Sequence, residues 1–126
     1  MTMHERHKDW ISGRGLDPKL AEALGLTSVM RDGKCWLSVP YVHGGETINH
    51  KYRLTSEKDH RMDPGAPLAL WNADCLSDPK VRSGQAPVVI TEGEWDAMAA
   101  IQSGCPFAVS VPSGAPSSPT ADLDNA

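Results

Sequence analysis

From Cys35 to Leu54 apolar and polar residues alternate with a period of two, which predicts extended chain. Trp36, Ser38 and Pro40 point one way and Leu37, Val39 and Tyr41 the other, and after His43-Gly44-Gly45-Glu46 the alternation resumes from Thr47 to Leu54. A Gly-Gly pair between two such runs is a hairpin signal, so two antiparallel strands are expected. On the second, Ile48, His50, Tyr52 and Leu54 share one face, while Asn49, Lys51 and Arg53 share the other as a local basic stripe.

Upstream the period becomes helical. Leu20, Ala23 and Leu24 recur at i, i+3 and i+4 between Asp17-Pro18, a helix-start pair, and Gly25, a stop. Residues 1–10 are polar without a buried pattern and are expected to be solvated; His4 and His7 share a helical spacing but lack a third metal ligand nearby. Residues 55–67 have the composition of a surface loop, Leu68–Trp71 that of a short strand, and residues 72–87 return to loop. A boundary near Gly84 divides the chain into a first domain, 1–84, of helix plus antiparallel hairpin, and a second, 85–126.

The second domain opens with Val88-Val89-Ile90-Thr91, short and apolar enough to be an internally buried parallel strand. Glu92-Gly93 then turns into a helix with Glu94 and Asp96 in its first turn. Trp95, Met98, Ala99 and Gln102 form the expected inward stripe of that helix, Gly104 ends it, and Phe107–Val111 follows as a second strand. Strand, helix, strand predicts a parallel pair with a right-handed crossover, and the overall class is α/β. Glu92 then emerges at the carboxyl edge of the sheet beside a helix N-terminus, where an ionised carboxylate is favoured and can ligate Mg²⁺ or move a proton. Gly93 is read as the residue that lets the chain turn without a Cβ clash. The same acids also suit a first turn for its dipole alone, and spacing does not separate the two readings.

Charge and composition narrow the classes. With 12 Lys and Arg against 16 Asp and Glu, the net charge of −4 offers no global field for nucleic acid, so such contact has to be local. Lys51, Arg53 and Arg61 are the candidates for phosphate contact, although alternating charge is also what any solvated hairpin face shows. Cys35, Cys75 and Cys105 form no CxxC and are read as reduced core thiols of a cytoplasmic protein. No leader pattern and no apolar run of about 18 residues points to a membrane. GxGxxG and GxxxxGK[ST] are both missing, which disfavours an unrelated nucleotide-binding α/β enzyme.

The run VVITEGEWDAMAAIQSG, with SVPSGAP after the next strand, resembles the opening half of a Toprim domain of the type found in DNA primases and phage or plasmid primase-helicases. The resemblance covers residues 87–116, and the helix before Gly25-Leu26, the Val39-Pro40-Tyr41 and Lys51-Tyr52-Arg53 strands and Leu70-Trp71-Asn72 are similar to the small domain that precedes Toprim there. It implies synthesis of RNA primers from ribonucleotides on a single-stranded DNA template, with a replicative helicase as domain or partner. Glu92 corresponds to the first acid, a metal ligand or general acid/base, and Asp96 to the acid that supports it. Lys51 and Arg53 correspond to residues contacting nucleotide or template, and Ser113 and Gly114 to the loop after the second strand. Mg²⁺ or Mn²⁺ is the implied cofactor.

The sequence departs from that pattern downstream. Toprim chemistry uses a later strand ending in Asp-x-Asp, because two-metal phosphoryl transfer needs several converging carboxylates. Asp122-Leu123-Asp124 has the letters but follows loop composition and is expected to be a polar tail. No zinc-binding cluster precedes the core. Two readings therefore stand: the first part of a primase polymerase core, inactive as this chain alone, or a truncated Toprim module that binds nucleic acid or a replication partner without catalysis. An incomplete parallel sheet also leaves an edge strand that can recruit a second copy, so a dimer is expected to form through it.

Overall fold

His4 opens the first helix: its Nδ1 accepts from the Arg6 amide at 3.1 Å, and α1 runs over Glu5–Gly13. The computed structural model describes residues 3–57 and 59–111, which include no helix long and apolar enough to cross a membrane. Ser113, Gly114, Asp122 and Asp124 lie outside the described residues. The chain divides into two units, one formed by residues up to Pro40 together with Asn49–Ala66, the other by Tyr41–Ile48 together with residues from Pro67 onward.

In the first unit α1 is followed by α2, Pro18–Ala23, where Asp17 caps the Lys19 amide at 2.9 Å. Its buried residue is Ala21, one position off the expected stripe, whereas Ala23 is exposed. Gly25 ends the helix at φ +92, and a Cβ there would sit 2.9 Å from the Pro40 ring, so both conformation and space require glycine. Four antiparallel strands follow in the order β1-β2-β3-β4: Thr27–Arg31, Lys34–His43, Glu46–Leu54 and Asp59–Met62. β4 lies where the sequence reads as loop. It pairs with β3 at the end of the sheet, and its charged residues are those an edge strand carries.

The N-terminal residues are not a solvated segment. His7 and Ile11, one turn apart, are both fully buried, and His7 Nδ1 lies 2.6 Å from Ser28 Oγ, which also accepts from the His4 amide at 2.7 Å. The helix carries few apolar residues, so the pattern was invisible; its inward face is completed by a neutral-capable imidazole instead of a hydrocarbon. In β2 Trp36, Leu37, Ser38 and Val39 are all buried, because both faces of the strand are covered.

In the second unit a 3-10 turn, Ala73–Ser77, and α3, Pro79–Arg82, occupy the stretch expected to be loop. Asp78 caps α3 through the Lys80 amide at 2.9 Å, a polar signal with no apolar period beside it. Leu68–Leu70 forms no strand; only Trp71 bridges, antiparallel, to Ser110. β5, Val89–Thr91, pairs in parallel with β6, Ala108–Ser110, and α4, Glu94–Gln102, connects them. β5 is not internally buried as expected: Ile90 is 70% exposed.

The buried face of α4 is Glu94, Ala97 and Met98, not the Trp95, Ala99, Gln102 stripe, of which Ala99 and Gln102 are exposed. The reason is a buried polar bond: the Tyr41 hydroxyl donates to Glu94 Oε2, and both residues have 1% exposure or less. Burial, then the adjacent Glu94 charge and hydrogen bond, push the Tyr41 phenol well above its ordinary range. Cys35 and Cys75 are half-buried free thiols, while Cys105 is exposed and so is not the core thiol expected.

Two predictions follow from these buried polar groups. Burial first, then the neighbouring His4 and Arg6 charges, lower the His7 imidazole below 6.5. Unfolding therefore takes up a proton as pH falls through about 6.5 towards the folded value, so His7's contribution is full above 6.5 and lost below. The urea midpoint of the wild type drops between pH 7.5 and 5.5, and in His7→Gln that drop is smaller. Tyr41→Phe costs about 1–3 kcal/mol in the same assay, since it strips a donor from a buried carboxylate, and adding Glu94→Leu restores part of the loss.

Candidate functional site

A parallel strand that ends where a helix begins presents its last residues at the carboxyl edge of the sheet, and β5 does so with Glu92. Thr91 braces the turn: its hydroxyl lies 2.8 Å from the Gly93 carbonyl and 3.2 Å from that of Val109. Gly93 is the N-cap of α4 with φ −143 and ψ 148, an extended conformation open to any residue, so the turn itself does not demand glycine. A Cβ there would meet only Asp96 Oδ2, at 3.8 Å. What glycine leaves is open space beside the Asp96 carboxylate.

Three acids cluster within five residues, and the fold divides them. Glu94 turns inward to Tyr41, whereas Glu92 and Asp96 are exposed at the same turn. Helical geometry requires that division, because residues two apart on a helix lie on nearly opposite sides. Glu94 and Tyr41 are the residues that sequence reasoning missed as a pair. Only the apolar part of their stripe was legible: Ala97, Met98 and Ile101 recur three, four and seven positions after Glu94, but a carboxylate at its head does not count in a hydrophobic period.

Neighbouring groups in this unit are held tightly. Trp71 exchanges backbone bonds with Ser110 at 2.9 and 3.3 Å, and Asn72 Nδ2 donates to the Ala108 carbonyl at 3.0 Å, so β6 is secured on the side away from β5. The Gly44 and Gly45 amides at the hairpin turn donate to Asp74 Oδ1 and Oδ2 at 2.7 and 3.0 Å. The Gly45 amide, then that of Gly44, hold the Asp74 carboxyl below its usual range. Both glycines have positive φ, 61 and 79, as a two-residue hairpin turn with converging amides requires.

In the first unit the predicted cations separate. Lys51 pairs with Met62, Tyr52 with Arg61 and Arg53 with His60 across β3 and β4. Facing partners share a side of the sheet, so Lys51 and Arg53 lie on one face and Arg61 on the other. Arg53 stands 5.1 Å from the Trp10 ring of α1, on the helix-covered face with Ser28 and Leu37. On the opposite face Trp36, Tyr52 and Leu54 cluster with Val29, and Arg61 lies 4.9 Å over Trp36 while Arg31 lies 4.4 Å over Tyr52. Asp63 ties this face together, accepting from Tyr52 Oη and His50 Nδ1, each at 2.7 Å. Burial alone would raise the Asp63 carboxyl, but those two donors, with Arg31 beside them, hold it below its ordinary range. Arg61 itself pairs with Asp32 at 3.3 Å and Asp59 at 3.7 Å.

Glu92 and Asp96 are hard oxygen donors of the kind Mg²⁺ takes one or two at a time, keeping water and substrate oxygens for its other positions. Among the described residues no group of three or more His, Cys, Asp or Glu side chains converges as a metal site. The pair can therefore supply part of a coordination sphere.

No protein-family model matches the chain, and no curated protein does. Among solved structures, the primase fragment of the bacteriophage T7 primase-helicase protein matches with a TM-score of 0.61 and 21% identity. The match covers 82% of this chain and 42% of that one. The chain is thus an α/β protein, with an antiparallel four-stranded sheet and a small parallel one, whose fold is similar to that of a primase fragment, of which it spans less than half the length.

Proposed function

We propose that the chain is part of a primase-type RNA-polymerase core, that its β5-turn-α4-β6 unit opens a Toprim domain, and that it serves metal-dependent nucleotidyl transfer making RNA primers on single-stranded DNA. The observation that carries the reading is the exposed Glu92 and Asp96 pair at the carboxyl end of a parallel strand, in a chain with a primase-fragment fold. In this reading Glu92 and Asp96 hold Mg²⁺ or Mn²⁺, which when bound neutralises and orients phosphate oxygens. Two carboxylates are fewer than two-metal transfer uses, so the remaining ligands come from elsewhere in a longer primase-helicase. Lys51 and Arg53 contact the phosphates of nucleotide or template, and the helicase is the working partner.

The test has two arms. The 126-residue chain alone binds Mn²⁺ weakly, read from loss of the free-ion electron paramagnetic resonance signal, and Glu92→Gln removes that binding; alone it makes no primers. Joined to a segment that supplies an Asp-x-Asp pair, it incorporates ribonucleotides on single-stranded DNA and Glu92→Gln abolishes the product. Incorporation indifferent to Glu92 refutes the assignment, and Glu92-independent DNA binding without incorporation in either setting favours the non-catalytic module instead. For the cations, each of Lys51→Ala and Arg53→Ala flattens the log–log salt dependence of oligonucleotide binding by about 0.7, the share of one phosphate contact on a single strand. An unchanged slope makes that face a structural one.

A further inference from the structure

A cavity of about 630 Å³ opens on the first unit, and none of the residues invoked above for catalysis or template contact lines it. Its apolar lining residues are Met30, whose side chain is 64% exposed, and Leu54, which is buried in the Trp36 and Tyr52 cluster. Its rim carries nitrogen donors. Arg6 comes from the first turn of α1 and Lys34 from the start of β2. His4 spends its Nδ1 lone pair on the Arg6 amide at 3.1 Å, so its other ring nitrogen, Nε2, bears the proton and donates. Glu57 is the carboxylate at the rim, 3.3 Å from Lys34 Nζ. Two permanent cations and an imidazole N–H against one carboxylate make a positive recess in a chain whose net charge is −4.

Volume and chemistry together select the ligand class. Small-molecule sites run to roughly 300–1,000 Å³ with an apolar lining and a few convergent polar groups. Arginine and lysine converge on phosphate, and a polarizable methionine packs well on a flat ring. We propose that this cavity binds a nucleoside 5′-phosphate, with the phosphate on Arg6, Lys34 and His4 Nε2–H and the base on the exposed Met30. The site does not depend on the polymerase reading, since it shares no residue with Glu92, Asp96, Lys51 or Arg53.

Cys35 lines the cavity as a half-buried free thiol, whereas Cys75 and Cys105 do not line it, so alkylation of the three thiols reports occupancy with internal references. Iodoacetamide labelling of the full chain, resolved by peptide mass spectrometry, is slowed at Cys35 alone by millimolar AMP, and less by adenosine or inorganic phosphate. Removing a charge-assisted contact with Arg6→Ala weakens that protection about tenfold or more, and Met30→Glu abolishes it. Glu57→Gln strengthens it, because Lys34 is released to the ligand. Glu92→Gln leaves it unchanged, so this site and the catalytic assignment fail separately. Any of four results overturns the proposal: no protection by AMP; protection by phosphate equal to that by AMP; protection by oligothymidylate and not by AMP; or weaker protection in Glu57→Gln.

Discussion

A carboxylate taken out of water has to find a donor, and the Tyr41 to Glu94 bond meets that demand at the base of the second unit. An unpaired buried carboxylate costs several kcal/mol, so the bond constrains more than two side chains. It fixes the rotation of α4, because Glu94 must face inward for the helix to pack. With Glu94 inward, Asp96 turns outward by geometry, and Glu92 stays at the exposed strand end. The two acids left exposed at the turn are thus set by the one that is buried. Tyr41 is in turn two residues from the hairpin turn that Asp74 clamps through the Gly44 and Gly45 amides.

Where backbone pattern alone decides, the sequence was readable. The Gly44-Gly45 hairpin, the Asp17-Pro18 helix start and the parallel strand-helix-strand around Glu92 are all where period and turn chemistry predict. Where polar side chains do the packing, it was not. α1 buries His7 with Ile11, and α4 buries Glu94 with Ala97 and Met98; a hydrophobic period cannot see an imidazole or a carboxylate that has found its partner in a distant strand. β4 and α3 were missed for a related reason, being short, charged elements held by an edge pairing and a cap.

The basic stripe shows how register, not composition, decides what a group of cations can do. Lys51, Arg53 and Arg61 look alike as charges, but the Tyr52 to Arg61 pairing puts Arg61 across the sheet from the other two. A one-residue change of register would have united them, and nothing in the sequence of β4 announces the register, since its residues Asp59, His60, Arg61 and Met62 lack an apolar alternation. The turn between β5 and α4 is less exposed to this ambiguity. Its acids are local to one turn, so their placement depends on helix rotation and not on pairing across a sheet.

Stacking also sets what the arginines of this acidic chain can offer an anion. Arg14 and Arg53 stand over Trp10, Arg31 over Tyr52 and Arg61 over Trp36, so four guanidinium groups are placed by aromatic rings. A guanidinium whose face lies on a ring keeps its N–H groups in its own plane, directed past the ring edge. Such an arginine has already lost most of its rotamer freedom, so binding an anion costs it less than it costs a free lysine. Local recognition of phosphate is therefore compatible with a net charge of −4, provided that it relies on preorganised contacts and not on a long-range field.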